Sequence, residues 1–201
     1  MNRLAPMLVF VAVVTLVFGS WHWYLWLRLV RDAHLPVAAA RLALALLVGG
    51  GLLVPLGMAL TVAFPVPGGR GLAYAAYLWL GFAFYLLMTT GGIDLLRWAG
   101  VLALRLAALA DRPAPDLRAL LTGVAAGRAL AATALLLSLV ASVTAYLNAR
   151  GPVAVKEVRV AIPGLPADLD GLTLVQLTDL HIGAPITREF VQDVVDRTNA
   201  L

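Results

Sequence analysis

Asp179 and His181 are the residues whose types and spacing are best suited to chemistry. A carboxylate and an imidazole two positions apart, on a loop leaving the carboxyl end of a strand, can both turn to one point outside a sheet, where open α/β folds place ligands. Oxygen plus nitrogen ligation suits Mn, Fe, Zn or a similar divalent ion, and Gly183 would relieve crowding in the turn. Asp-x-His on its own is a common triplet. With nine Asp and three His, roughly one chain in eight of this composition carries it by chance, so the surrounding elements must supply the specificity.

Those elements begin after Gly151. Val158, Val160 and Ile162 share one face and Glu157, Arg159 and Ala161 the other, which predicts a half-buried strand. A turn-rich link follows, through Pro163, Gly164, Pro166, Asp168, Asp170 and Gly171. Leu172 to Leu177 is a nearly continuous apolar run, as expected of a buried strand in an α/β sheet, and it leads directly into Thr178, Asp179, Leu180, His181, Ile182 and Gly183. Thr187 then caps a predicted helix from Arg188, with Phe190, Val191, Val194 and Val195 as its apolar stripe.

The run Val-Gln-Leu-Thr-Asp-Leu-His-Ile-Gly from Val175 to Gly183 resembles the first motif of the calcineurin-like metallophosphoesterases, a hydrophobic strand followed by Ser/Thr-Asp-x-His-x-Gly. The lead-in, Ile162-Pro163-Gly164-Leu165-Pro166 and then Leu169-Asp170-Gly171-Leu172, is similar to that of members in which transmembrane helices precede the catalytic domain. The resemblance covers about residues 155–201. It implies the beginning of an αββα sandwich, with Asp179 and His181 as two ligands of one metal and Thr178 and Gly183 as supporting motif positions. The implied cofactor is a pair of divalent ions of Mn, Fe or Zn type, about 3.5 to 4 Å apart, which clamp a phosphoryl group and activate a bridging water. The implied activity is hydrolysis of a phosphomonoester, phosphodiester or pyrophosphate. The family's later motifs, Gly-Asp-x-x-Asp, Gly-Asn-His-Glu and Gly-His-x-His, do not occur in these 201 residues. On that basis residues 150–201 are expected to be the N-terminal part of a truncated phosphoesterase domain, inactive as it stands.

The rest of the chain must anchor this tail. Hydrophobic residues make up 62% of the sequence and charged residues 13%, with a mean hydropathy of +0.91, which excludes both a single soluble globule and a disordered chain. Cysteine is absent, removing disulfide scaffolds and thiol nucleophiles. The net charge of +4 divides unevenly, +6 over residues 1–149 and −2 over 150–201. Its arginines are scattered at the ends of apolar runs, which argues against a nucleic-acid surface.

A helix crosses a bilayer in about 20 apolar residues, and four segments qualify within an anchor over 1–149: about 4–27, 42–64, 71–90 and 123–147. The first ends in an aromatic belt, Trp21, His22, Trp23, Tyr24 and Trp26. His22 and His34 lie at the ends of membrane segments, where interfacial placement is expected rather than metal ligation. The second contains Gly49, Gly50, Gly51 and Pro55, breakers that neighbouring helices tolerate. Beyond Gly91 and Gly92, residues 93–110 read as an amphipathic interfacial helix, or one leaving the bilayer, on which Asp94 and Arg97 can pair. Asp111 to Arg118 form a polar, proline-broken loop. Gly123, Gly127 and Ala131 make a small-residue face on the fourth span, and Arg128 is expected to snorkel.

Arginines concentrate in the first and third connections, favouring those loops inside and the C-terminal tail outside a plasma or inner membrane. The expected partners are the lipid bilayer and a phosphate-ester substrate, lipid-linked or soluble. The alternative is a small multi-spanning assembly or transport component without catalysis, for which Gly49 to Pro55, the Asp94/Arg97 pair and the small-residue face would be the functional features.

Overall fold

The computed structural model describes residues 4–62, 69–109, 123–151, 153–180 and 186–201. Four long helices account for most of them: α1 (Leu4–Trp26), α2 (Val37–Val62), α3 (Gly69–Leu109) and α4 (Val124–Ala149). Three stretches, Val37–Gly57, Gly69–Leu109 and Val124–Ala149, are long and apolar enough to cross a membrane. Many of their leucines and valines face outward, as at Leu96 and Leu136, which suits a helix solvated by lipid. The chain divides at Leu147/Asn148 into two compact units.

In the first unit, Leu25, Leu29, Val30 and Ala33 pack with Leu47, Leu86, Leu130, Ala131 and Ala134. Small residues set the approach between helices, because lipid gives no hydrophobic drive and close backbone contact must do more. A Cβ at Gly50 would run into the Trp79 indole, and one at Gly57 would lie 2.6 Å from the Ala76 methyl. Polar side chains add cross-links: Tyr74 O–H donates to the Tyr146 hydroxyl at 2.9 Å, and Thr89 Oγ1 lies 2.7 Å from Ser138 Oγ.

After α1 the chain widens into a π-helical turn, Leu27–Arg31, closed by Asp32 N–H donating to Leu27 O at 2.9 Å. His34 follows with a left-handed φ of 47°, reversing the chain into α2.

Several expectations change. The third span and the separate interfacial helix are one uninterrupted helix of 41 residues. Gly91 and Gly92 lower helix propensity by about 1 kcal/mol each, yet Thr90 and Asp94 on either side are buried against neighbours, and that packing carries the helix through. α2 continues through Pro55, as the expected second span does. The segment expected as a loop over Asp111 to Arg118 lies outside the described residues.

The second unit departs most. The two expected strands, around Glu157 to Ile162 and Leu172 to Leu177, form no regular secondary structure, and among the described residues there is no β-strand and no α/β sheet. Alternation supplies a face, but a strand exists only with a hydrogen-bonded neighbour, and these segments have none among the described residues. The expected helix does form, as α5 (Arg188–Asn199). Thr187 Oγ1 accepts from Phe190 N–H at 3.4 Å, and Val194 is buried on the apolar stripe.

Candidate functional site

Thr178 and Asp179 lie near the end of the irregular segment that follows Gly171, and both are exposed. Asp179 has a φ of 54°, a left-handed conformation that few residues other than glycine adopt and that Asp tolerates better than most. His181 and Gly183 lie outside the described residues. Among the described residues, no three His, Cys, Asp or Glu side chains gather as a metal-binding group. Asp179 supplies an oxygen donor of the right kind, but one carboxylate is too little of a coordination shell to route any step through a metal.

The first unit holds a polar cluster at the end of α1. Asp94, on α3, is 6% exposed. Its Oδ2 accepts from Tyr24 O–H at 2.7 Å and from Arg28 Nε at 2.6 Å, and its Oδ1 accepts from Arg97 Nη1 at 3.3 Å. Arg28 also donates from Nη1 to Asp32 Oδ2 at 2.8 Å, so one guanidinium joins two carboxylates from different elements. Arg31 holds the other Asp32 oxygen at 2.9 Å. Burial acts to raise the Asp32 pKa, but the hydrogen bonds and charges of Arg28 and Arg31 outweigh it and hold the carboxyl below its usual range.

α4 docks on the same turn. A Cβ at Gly127 would collide with the Asp32 carbonyl, and Arg128 donates to the carbonyls of Ala33 and His34 at 3.1 and 3.3 Å. The expected Asp94/Arg97 pair is present, and Arg128 is tied to backbone as well as reaching the helix end. Tyr24 and Arg28 were missed as members of this cluster. Their four-residue spacing on one helical face, next to the aromatic belt, was the available signal.

His22 is buried among the helices. Its Nε2 accepts from Trp79 Nε1–H at 3.1 Å and its Nδ1 lies 2.8 Å from Phe18 O, which makes it a structural link between α1 and α3.

No family model matches the chain, and no solved structure does. A zebrafish (Danio rerio) protein described as a transmembrane protein with metallophosphoesterase domain is 37% identical over 68 residues, covering 34% of this chain and 16% of that protein. The chain thus matches a small part of that relative's length.

Proposed function

We propose that this chain belongs to a membrane-anchored, metal-dependent phosphohydrolase. The observation that carries the reading is the joining, in one polypeptide, of membrane-crossing helices to the sequence Leu177-Thr178-Asp179-Leu180-His181-Ile182-Gly183. The zebrafish protein, whose description combines the same two features, supports it. α1, 23 residues long, serves as a fourth span beside the three others, and residues 150–201 contribute to an α/β domain in which the two expected strands find partners. Asp179 and His181 act as two ligands of one divalent ion. A pair of such ions would polarise a phosphate ester and supply a hydroxide nucleophile near neutral pH. The arginine bias places the tail on the extracytoplasmic side of a cell membrane.

The test is Mn-dependent hydrolysis of bis-p-nitrophenyl phosphate in native membranes by the product of the whole coding sequence, compared with Asp179→Asn and His181→Ala. The expected result is a loss of at least about 100-fold in both, since ligand and positioning changes at a metal centre cost this much. Metal-stimulated turnover that survives both substitutions would overturn the reading. So would a coding sequence that contains neither Gly-Asp-x-x-Asp nor Gly-Asn-His-Glu.

A further inference from the structure

A cavity of about 310 Å³ opens beside the polar cluster, lined by Arg28, Asp32, His34, Asp94, Arg97 and Trp98, with Val101, Gly123 and Gly127 closing it. We propose that it receives the phosphate of an anionic phospholipid headgroup. This binding role is separate from the hydrolytic reading and needs only that the helices lie in a bilayer.

Charge selects an anion. The two carboxylates lining the cavity are both engaged, Asp32 by Arg28 and Arg31 and Asp94 by Arg28 and Arg97. Arg128 is anchored to the adjoining turn. Two guanidinium groups and two carboxylates line the cavity itself, and among the described residues Arg31 and Arg128 on the adjoining turn and helix add two further positive charges nearby. Arg28 uses Nε and Nη1 on its carboxylates, and a guanidinium offers five N–H donors in a planar fork suited to phosphate oxygens. The amino end of α4 meets the cavity at Gly123 and Gly127, adding a favourable dipole.

Position selects a lipid over a soluble ion. Trp98, 64% exposed, stands at the rim, with Leu95, Leu96 and Leu102 exposed on the same helix. An interfacial tryptophan with leucines beside it offers acyl chains an apolar track while the arginines hold the headgroup. The volume is at the lower end of the roughly 300 to 1,000 Å³ typical of small-molecule pockets, and basic pockets between membrane helices recurrently take anionic headgroups.

The experiment places the full chain in nanodiscs of phosphatidylcholine with or without phosphatidylglycerol. Retained lipid is counted by native mass spectrometry and stability is followed by thermal unfolding. Phosphatidylglycerol is expected to be retained selectively and to raise Tm by several degrees. Arg97→Gln should weaken retention about tenfold, the worth of one charge-assisted hydrogen bond. Val101→Phe fills the cavity without removing a charge and should abolish the selectivity while keeping the Tm in pure phosphatidylcholine. It therefore remains decisive if Arg97→Gln fails to fold. Equal retention of both lipids, or selectivity that survives Val101→Phe, would overturn the proposal. An equal Tm rise from inorganic phosphate in pure phosphatidylcholine would overturn the headgroup assignment.

Discussion

At the scale of single residues, Asp94 has the most to lose. Removing its charge takes away the carboxylate that Arg28 and Arg97 share in a site that is largely withdrawn from solvent, and breaking such an arrangement costs about 3 kcal/mol. Asp94→Asn should therefore lower Tm strongly in detergent. Tyr24→Phe removes one hydrogen bond to a charged acceptor and should cost about 2 kcal/mol. An Asp94→Asn protein as stable as the parent would show that the arginines find other partners. Asp179 makes the opposite prediction. Its left-handed φ of 54° suits asparagine nearly as well as aspartate, so Asp179→Asn should preserve folding, whereas the β-branched Asp179→Val should strain the turn by about 1 to 3 kcal/mol. Comparing far-ultraviolet circular dichroism of the two variants separates a loss of chemistry from a loss of shape.

Among the elements, α4 offers a contrast between two glycines. Gly127→Ala gains about 1 kcal/mol of helix propensity but pushes a methyl into the Asp32 carbonyl, a backbone atom that cannot swing away. A net destabilisation of about 1 to 3 kcal/mol is expected. Gly81→Ala on α3 meets nothing within 4 Å and should be neutral or stabilising, so equal Tm values for the two variants would contradict the packing. α5 makes a pH-dependent prediction. The Thr187 hydrogen bond, and then its own backbone N–H, hold the Glu189 carboxyl below the ordinary glutamate value. A depressed folded pKa stabilises the helix above the unfolded value and loses that contribution as pH falls through the folded one. Amide protection at Phe190 and Val191, corrected for intrinsic exchange, should thus decline as pH drops below about 4, and flat protection would remove the role given to Glu189. α5, its cap and its stripe were legible from sequence because they are local. The strands were not, because a strand is completed by residues distant in the chain. The run through Gly91 and Gly92 was hidden for a similar reason: propensity argues for a break, and burial of Thr90 and Asp94 overrides it.

For the whole molecule, membrane character was readable from composition, since no arrangement of these apolar helices could hide so many leucines and valines from water. Which charged residues meet was only half readable. Spacing on one helix predicts Asp94 with Arg97, but Arg28 reaches Asp94 from a different element across 66 positions of sequence, and no local pattern encodes that distance. The proposed orientation can be measured cleanly because the chain has no cysteine. An impermeant maleimide should label Ala161→Cys in intact cells and Val37→Cys only after permeabilisation. The reverse pattern would invert the topology.

The unbroken length of α3 has a mechanical consequence. At 1.5 Å per residue its 41 residues extend about 61 Å, roughly twice the 30 Å of a hydrocarbon core, and Asp94 lies about 38 Å along it from Gly69. If the Gly69 end is held at one surface, the carboxylate emerges just beyond the other, which makes α3 a depth gauge. Thickening the bilayer by lengthening its acyl chains would then draw the arginine-aspartate knot toward oil, and thermal stability should fall with each added pair of methylenes once the margin of about 8 Å is spent.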